Sequence, residues 1–105
     1  MKVRPCITDE ENTIAANVTW GYSFMCPGCN IEHIFTTDDR FWNGGIPWTF
    51  NGDINNPTFN PSLLVWRDDP QLRCHSFVRD GKIQFLDDCG HALKGQTVDL
   101  PEIDL

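Results

Sequence analysis

Residues 74–88 read CHSFVRDGKIQFLDD, two alternating runs of β-type residues on either side of Asp80-Gly81. An Asp-Gly pair between such runs is the sequence signature of a two-residue type I′ hairpin, because both turn positions need positive φ. Two turn residues also set the register: 79 faces 82, 78 faces 83, 76 faces 85 and 74 faces 87. Side chains alternate along a strand. Cys74 therefore shares a face with Asp87 and, one step further on, with Cys89, while His75 lies on the opposite face beside Leu86.

Upstream, the same style of sequence continues. Short runs rich in aromatic and β-branched residues stand at 19–25 (TWGYSFM), 32–37 (EHIFTT), 48–50 (WTF) and 63–66 (LLVW), and a last one at 96–100 (QTVDL) stops at Pro101. Turn signals separate them, among them Asn51-Gly52, Pro57 and Pro61. None of these runs has a helical period. The expected fold is mostly β: one small domain over 1–105, an antiparallel sheet carrying a Cys-x-x-Cys knuckle and the Asp-Gly hairpin. Residues 1–12 are expected to be loose, with order beginning near Thr13. Trp42 and Trp48, flanking a Gly-rich stretch, are the expected exposed aromatics.

The knuckle is MCPGCNIEH at residues 25–33. Cys26 and Cys29 have the spacing at which two thiolates reach one tetrahedral ion, with Pro27 presetting φ and Gly28 able to take positive φ. A redox pair is the rival, but that motif opens a helix and here strand-type residues follow. Five cysteines are an odd number, so thiol-metal chemistry explains them better than a disulfide framework, and Cys6 is the expected remainder. A second pair of ligands must come from Cys74, His75, Cys89 and His91. The hairpin register selects Cys26, Cys29, Cys74 and Cys89 as the Zn²⁺ ligands. His91 is the first reserve, then His75 and His33, the last read mainly as a strand residue. The adjacent carboxylates Asp87 and Asp88 are read as partners for a ligating histidine rather than as an acid/base pair.

Charge narrows the partner. Fifteen acidic residues against eight basic ones give a net charge of −7, and no stretch gathers Lys and Arg into a stripe. Nucleic acid is disfavoured as a partner and a protein is favoured. No window approaches the roughly 18 apolar residues of a membrane span, and the opening MKVRPCITDEEN has no apolar signal core. The expected location is the cytoplasm.

CPGC, W-x-FNGD, PTFNPSLLVW, CHSFVRDGKIQFLDD and HALKGQTVDLP together resemble a family of small phage- and prophage-borne proteins of unknown function, over about residues 20–103. Such chains often carry the label ammonia monooxygenase, a membrane-bound copper enzyme that a chain without a span does not match. Distant relatives are similar to accessory proteins encoded beside ubiquitin-like conjugation components. The resemblance implies that Cys26, Cys29, the Cys74-His75 pair and His91 are motif positions; Lys94 departs from the HALAG expected there. It also implies a host-cell setting. The leading expectation is a protein-binding module with a structural zinc, modulating a host factor, with no residue assigned a catalytic role. The alternative is a zinc hydrolase or deaminase-like enzyme with an open metal position, although the H-x-E deaminase signature is absent.

Overall fold

The hairpin forms in the expected register. Pairs Ser76 with Phe85, Phe77 with Gln84, Val78 with Ile83 and Arg79 with Lys82 close around Asp80 (φ 50°) and Gly81 (φ 75°). Both turn residues thus have the positive φ of a type I′ turn. The turn is tied down as well: Asp80 N–H donates to Thr58 Oγ1, and Gly81 N–H to the Pro57 carbonyl.

The computed structural model describes residues 1–41 and 47–103. Nine strands are found there: β1 Arg4–Ile7, β2 Thr19–Met25, β3 Glu32–Thr36, β4 Thr49–Phe50, β5 Phe59–Asn60, β6 Leu63–Val65, β7 Cys74–Arg79, β8 Lys82–Phe85 and β9 Thr97–Asp99. They form three antiparallel sheets ordered β1-β2-β3, β4-β5 and β6-β7-β8-β9. The described residues contain no α-helix, only a 3-10 turn at Asp39–Phe41, so none is long and apolar enough to cross a membrane.

The sheets meet over one core of Val3, Phe24, Phe35, Phe59, Leu63, Val78, Ile83, Phe85 and Leu100, joined by Cys26, Cys74 and Cys89. Its centre is aromatic. Phe59 stacks on Phe35 at 4.1 Å between ring centroids and on Phe50 at 4.7 Å, linking the two-stranded sheet to the first.

Two expectations are corrected. The first residues are not loose: Arg4–Ile7 pairs with β2, Val3 is fully buried, and Lys2 N–H donates to Ile54 O at 2.7 Å. Pro5 lies in this strand because β1 is at the sheet edge, where a missing N–H breaks no ladder. Nor is Trp48 an exposed contact residue. It is half-buried, packs edge-on against Phe35 at 5.6 Å and donates its indole N–H to the Ser62 carbonyl at 3.1 Å. Its expected companion Trp42 lies outside the described residues.

Candidate active site and metal centre

Strand β7 sorts its chemistry by face. Cys74, Ser76 and Val78 point into the core, and His75, Phe77 and Arg79 point out. The alternation is the period of two expected of any strand, and here it places a thiol and an imidazole one residue apart on opposite sides.

On the outer side, β6 pairs with β7 so that Leu64 stands opposite His75. Ser62, two residues before Leu64, is therefore carried next to the His75 ring. Its Oγ lies 3.0 Å from His75 Nε2, and His75 Nδ1 lies 3.1 Å from Asp88 Oδ2. Both ring nitrogens are thus engaged, one by a hydroxyl and one by a carboxylate. This is the serine-histidine-aspartate arrangement of hydrolases, recognised by geometry and role rather than by order in the chain. The His75 side chain is 25% exposed and that of Asp88 44% exposed, so the line of residues opens on the surface. Trp48 anchors Ser62 from behind through the Ser62 carbonyl.

On the inner side, Cys26, Cys29, His33 and Cys74 bring one donor atom each to within 4.8 Å of one another. The Cys26 and Cys74 sulfurs are 3.9 Å apart. Two thiolates at about 2.3 Å on a tetrahedral ion stand about 3.8 Å apart, so the spacing suits a shared metal. His33 is 5% exposed, and its Nε2 is buried with no hydrogen-bond partner, which is costly for an imidazole unless a ligand takes it. Its ring is held edge-on between Phe24 and Trp66.

Electrostatics point the same way. The hydrogen bond from Cys74 holds Cys26 well below the usual thiol range; Cys74, on the other side of that shared proton and buried, is pushed up. Burial first, then the neighbouring Cys26 thiolate, pushes Cys29 up to about 11. Without a cation the cluster carries one thiolate comfortably; a divalent ion would let all three ionise.

The knuckle itself is built by Asn30 N–H donating to Cys26 O at 2.8 Å and Cys26 N–H donating to Ile31 O at 2.9 Å. Positive φ falls on Asn30 (58°), not on Gly28. Gly28 is needed for space instead, because a Cβ there would meet the His91 ring at 2.3 Å.

Cys89 and His91 form a second group with Cys74. The Cys89 sulfur is occupied locally: His75 N–H donates to it, and its thiol reaches His75 O, each at 3.2 Å. His91 Nδ1 accepts from Leu93 N–H at 3.2 Å, and its ring meets Phe85 edge-on at 4.4 Å. The compact quartet therefore contains three of the four residues expected from the sequence, with His33 in the fourth place. His75 faces away from the quartet, and Cys6, on β1, belongs to neither group.

Sequence reasoning had not singled out Ser62, and it placed Asp88 beside a metal-bound histidine. The signal was the β6–β7 register, which no local motif encodes.

No curated protein and no solved structure matches the chain. Residues 3–86, a span that takes in the knuckle, Ser62 and His75 and ends short of Asp88, match the family described as "Bacterial ubiquitination-like system serine protease (BubE)", and the chain belongs to that family.

Proposed function

We propose that this protein is a serine peptidase acting on a protein partner within a bacterial ubiquitination-like system, with a structural zinc behind its active site. The observation that carries the reading is the unbroken line from Ser62 Oγ through both nitrogens of His75 to Asp88. Family membership supports it independently. The preference thus passes from a binding module without catalytic residues to an enzyme, and the enzyme is not the zinc hydrolase held as the alternative.

In this reading Ser62 Oγ attacks the carbonyl carbon of the scissile bond while His75 Nε2 takes its proton. The same nitrogen then hands the proton to the leaving amine, and water attacks the acyl-Ser62 ester by the reverse sequence. Asp88 accepts from His75 Nδ1–H, which fixes the tautomer with a lone pair on Nε2 and steadies the imidazolium as it forms. A half-exposed triad on a sheet face suits a macromolecular substrate better than a small one enclosed in a pocket. The resemblance to phage-borne chains adds a setting in which that substrate is a host protein.

Zinc fits the donor set of the inner cluster: three thiols, one unpartnered imidazole nitrogen, and tetrahedral spacing. Cys26, Cys29, Cys74 and His33 would hold it, with Cys89 the sulfur alternative for the fourth place. A set of four protein ligands supplies folding energy rather than a bound nucleophile. Zinc-edge X-ray absorption shows whether the fourth ligand is a nitrogen or the Cys89 sulfur, and His33→Ala then tells His33 from His91, whose Nε2 is also buried without a hydrogen-bond partner.

A fluorophosphonate probe tests the catalytic assignment. Stoichiometric labelling at Ser62, lost in His75→Ala, is the expected result. A protein that is folded and metal-loaded yet leaves the probe unreacted removes the peptidase reading.

A further inference from the structure

The triad and the thiol cluster meet at two peptide units. Cys74 and His75 are consecutive at the start of β7, and Asp88 and Cys89 are consecutive in the turn after β8. The strand ladder is broken at this point. In a regular antiparallel pair His75 and Leu86 would exchange both backbone hydrogen bonds. Leu86 N–H does donate to His75 O at 2.9 Å, but the Leu86 carbonyl is taken by Cys89 N–H at 3.2 Å. The His75 N–H turns instead to the Cys89 sulfur. The backbone of the triad histidine is therefore held from one side by the residue after Asp88 and from the other by its own neighbour, Cys74.

On its other side that end of β7 is paired with the three-residue strand β6 through Val65 and Cys74, and just before it Gly90 N–H donates to the Arg73 carbonyl at 2.8 Å. Cys74 also belongs to both groups of metal-ligand candidates, within reach of Cys26, Cys29 and His33 on one side and of Cys89 and His91 on the other.

We propose that the inner metal centre is the positioning device of the triad: an ion bound by Cys26, Cys29, His33 and Cys74 fixes the Cys74 backbone, and through it the His75 ring between Ser62 and Asp88. The result is a serine enzyme whose nucleophile depends on a metal that touches neither the nucleophile nor its base. This inference rests on the peptidase reading above. Displacing a catalytic group by about 1 Å costs about 10²-fold in rate, and the Ser62–His75 bond at 3.0 Å has little room to lengthen. Cys74 positions His75 through the one peptide bond that joins them, so disturbance of the ion reaches the triad directly.

The experiment uses the full chain, loaded with Zn²⁺, and reads the rate of fluorophosphonate labelling at Ser62 alongside metal content and melting temperature. In one arm Zn²⁺ is exchanged for Cd²⁺, a larger ion that thiolates also bind, so the protein keeps its sequence and its fold. Labelling is expected to slow several-fold at equal metal content and comparable melting temperature. In the other arm Cys74→His and Cys29→His are compared, each loaded with Zn²⁺. Cys74→His is expected to label about 10²-fold more slowly than the native chain, and Cys29→His, whose backbone is not continuous with the triad, to lose less. Identical labelling rates in the Zn²⁺ and Cd²⁺ forms overturn the proposal, as do equal losses in the two variants. Absence of Ser62 labelling in the native Zn²⁺ form is a different failure, that of the peptidase reading itself.

Discussion

The two faces of β7 carry two kinds of chemistry one residue apart. Cys74 is 1% exposed and sits among sulfurs and aromatic rings; the His75 side chain is 25% exposed and sits between a hydroxyl and a carboxylate that is itself 44% exposed. Burial suits the first because a closed metal site has to exclude water and competing ligands. Exposure suits the second in the proposed peptidase, because a substrate would have to reach it. A strand provides both without any special device, since its side chains alternate. The lesson is that a thiol cluster in a small β protein need not be its working part, even when it dominates the sequence.

The sharpest way to break the comparison is to remove the metal, which should damage both faces. Structural Zn²⁺ sites contribute apparent binding energies of about 10–16 kcal/mol, and that energy is folding energy when the site exists only in the folded state. A strong chelator is expected to lower the melting temperature by tens of degrees or abolish the transition, and to silence Ser62 with it. The check is a pair of melting curves with the metal content assayed. An unchanged curve from demonstrably metal-free protein would mean that the aromatic core suffices without the ion.

Ser62→Ala should separate the faces. Loss of the nucleophile is expected to reduce peptide-bond hydrolysis by about 10⁴-fold or more. Metal content should stay at one equivalent, and stability should move by no more than about 0.5–1 kcal/mol, since Ser62 is only half-buried. Residual hydrolysis within tenfold of the native rate would place the nucleophile elsewhere.

How much of this was legible in the sequence depends on the distance over which each feature is encoded. The hairpin is local: two turn residues dictate every pair from Ser76–Phe85 to Arg79–Lys82. The Cys26–Cys29 knuckle is equally local. The inward direction of His33 is not, because it follows from pairing with Phe24 across β2–β3. The triad is the least local feature. Ser62 meets His75 only because Leu64 pairs with His75, and a connection as long as residues 66–73 does not set a register in the way a two-residue turn does. Strand β1 was missed for the same reason: its hydrophobic pattern is weak, and only the partner strand β2 makes Arg4–Ile7 extended.

A third change probes the metal face alone. A Cβ at position 28 would stand 2.3–2.6 Å from three atoms of the His91 ring, closer than any non-bonded contact allows. Gly28→Ala must therefore push the knuckle or the ring aside, at a cost of about 1–3 kcal/mol for an overpacked site. Lower thermal stability and a faster release of zinc to a colorimetric chelator are expected, with Ser62 labelling affected only as far as the metal is lost. A variant as stable as the native chain would show that the knuckle and His91 do not pack as the structure has them.

The smallest effect is expected at Cys6, and it sharpens the comparison by lying outside both regions. Cys6 sits on the edge strand β1, half-buried, opposite Gly21 of β2, with burial raising its thiol above the usual range. Its sulfur approaches the Arg4 carbonyl at 4.0 Å, and it belongs to no group of ligand candidates among the described residues. A raised thiol is also a poor nucleophile and a poor ligand, because the reactive form is the thiolate. Cys6→Ser should therefore leave metal content and Ser62 labelling unchanged and shift stability by about 0.5 kcal/mol or less, as substitutions away from core, caps and networks do. Measurement of bound zinc in purified Cys6→Ser decides it: full occupancy shows that this thiol is not a ligand, whereas released metal would mean that β1 approaches the cluster more closely than its pairing with β2 allows.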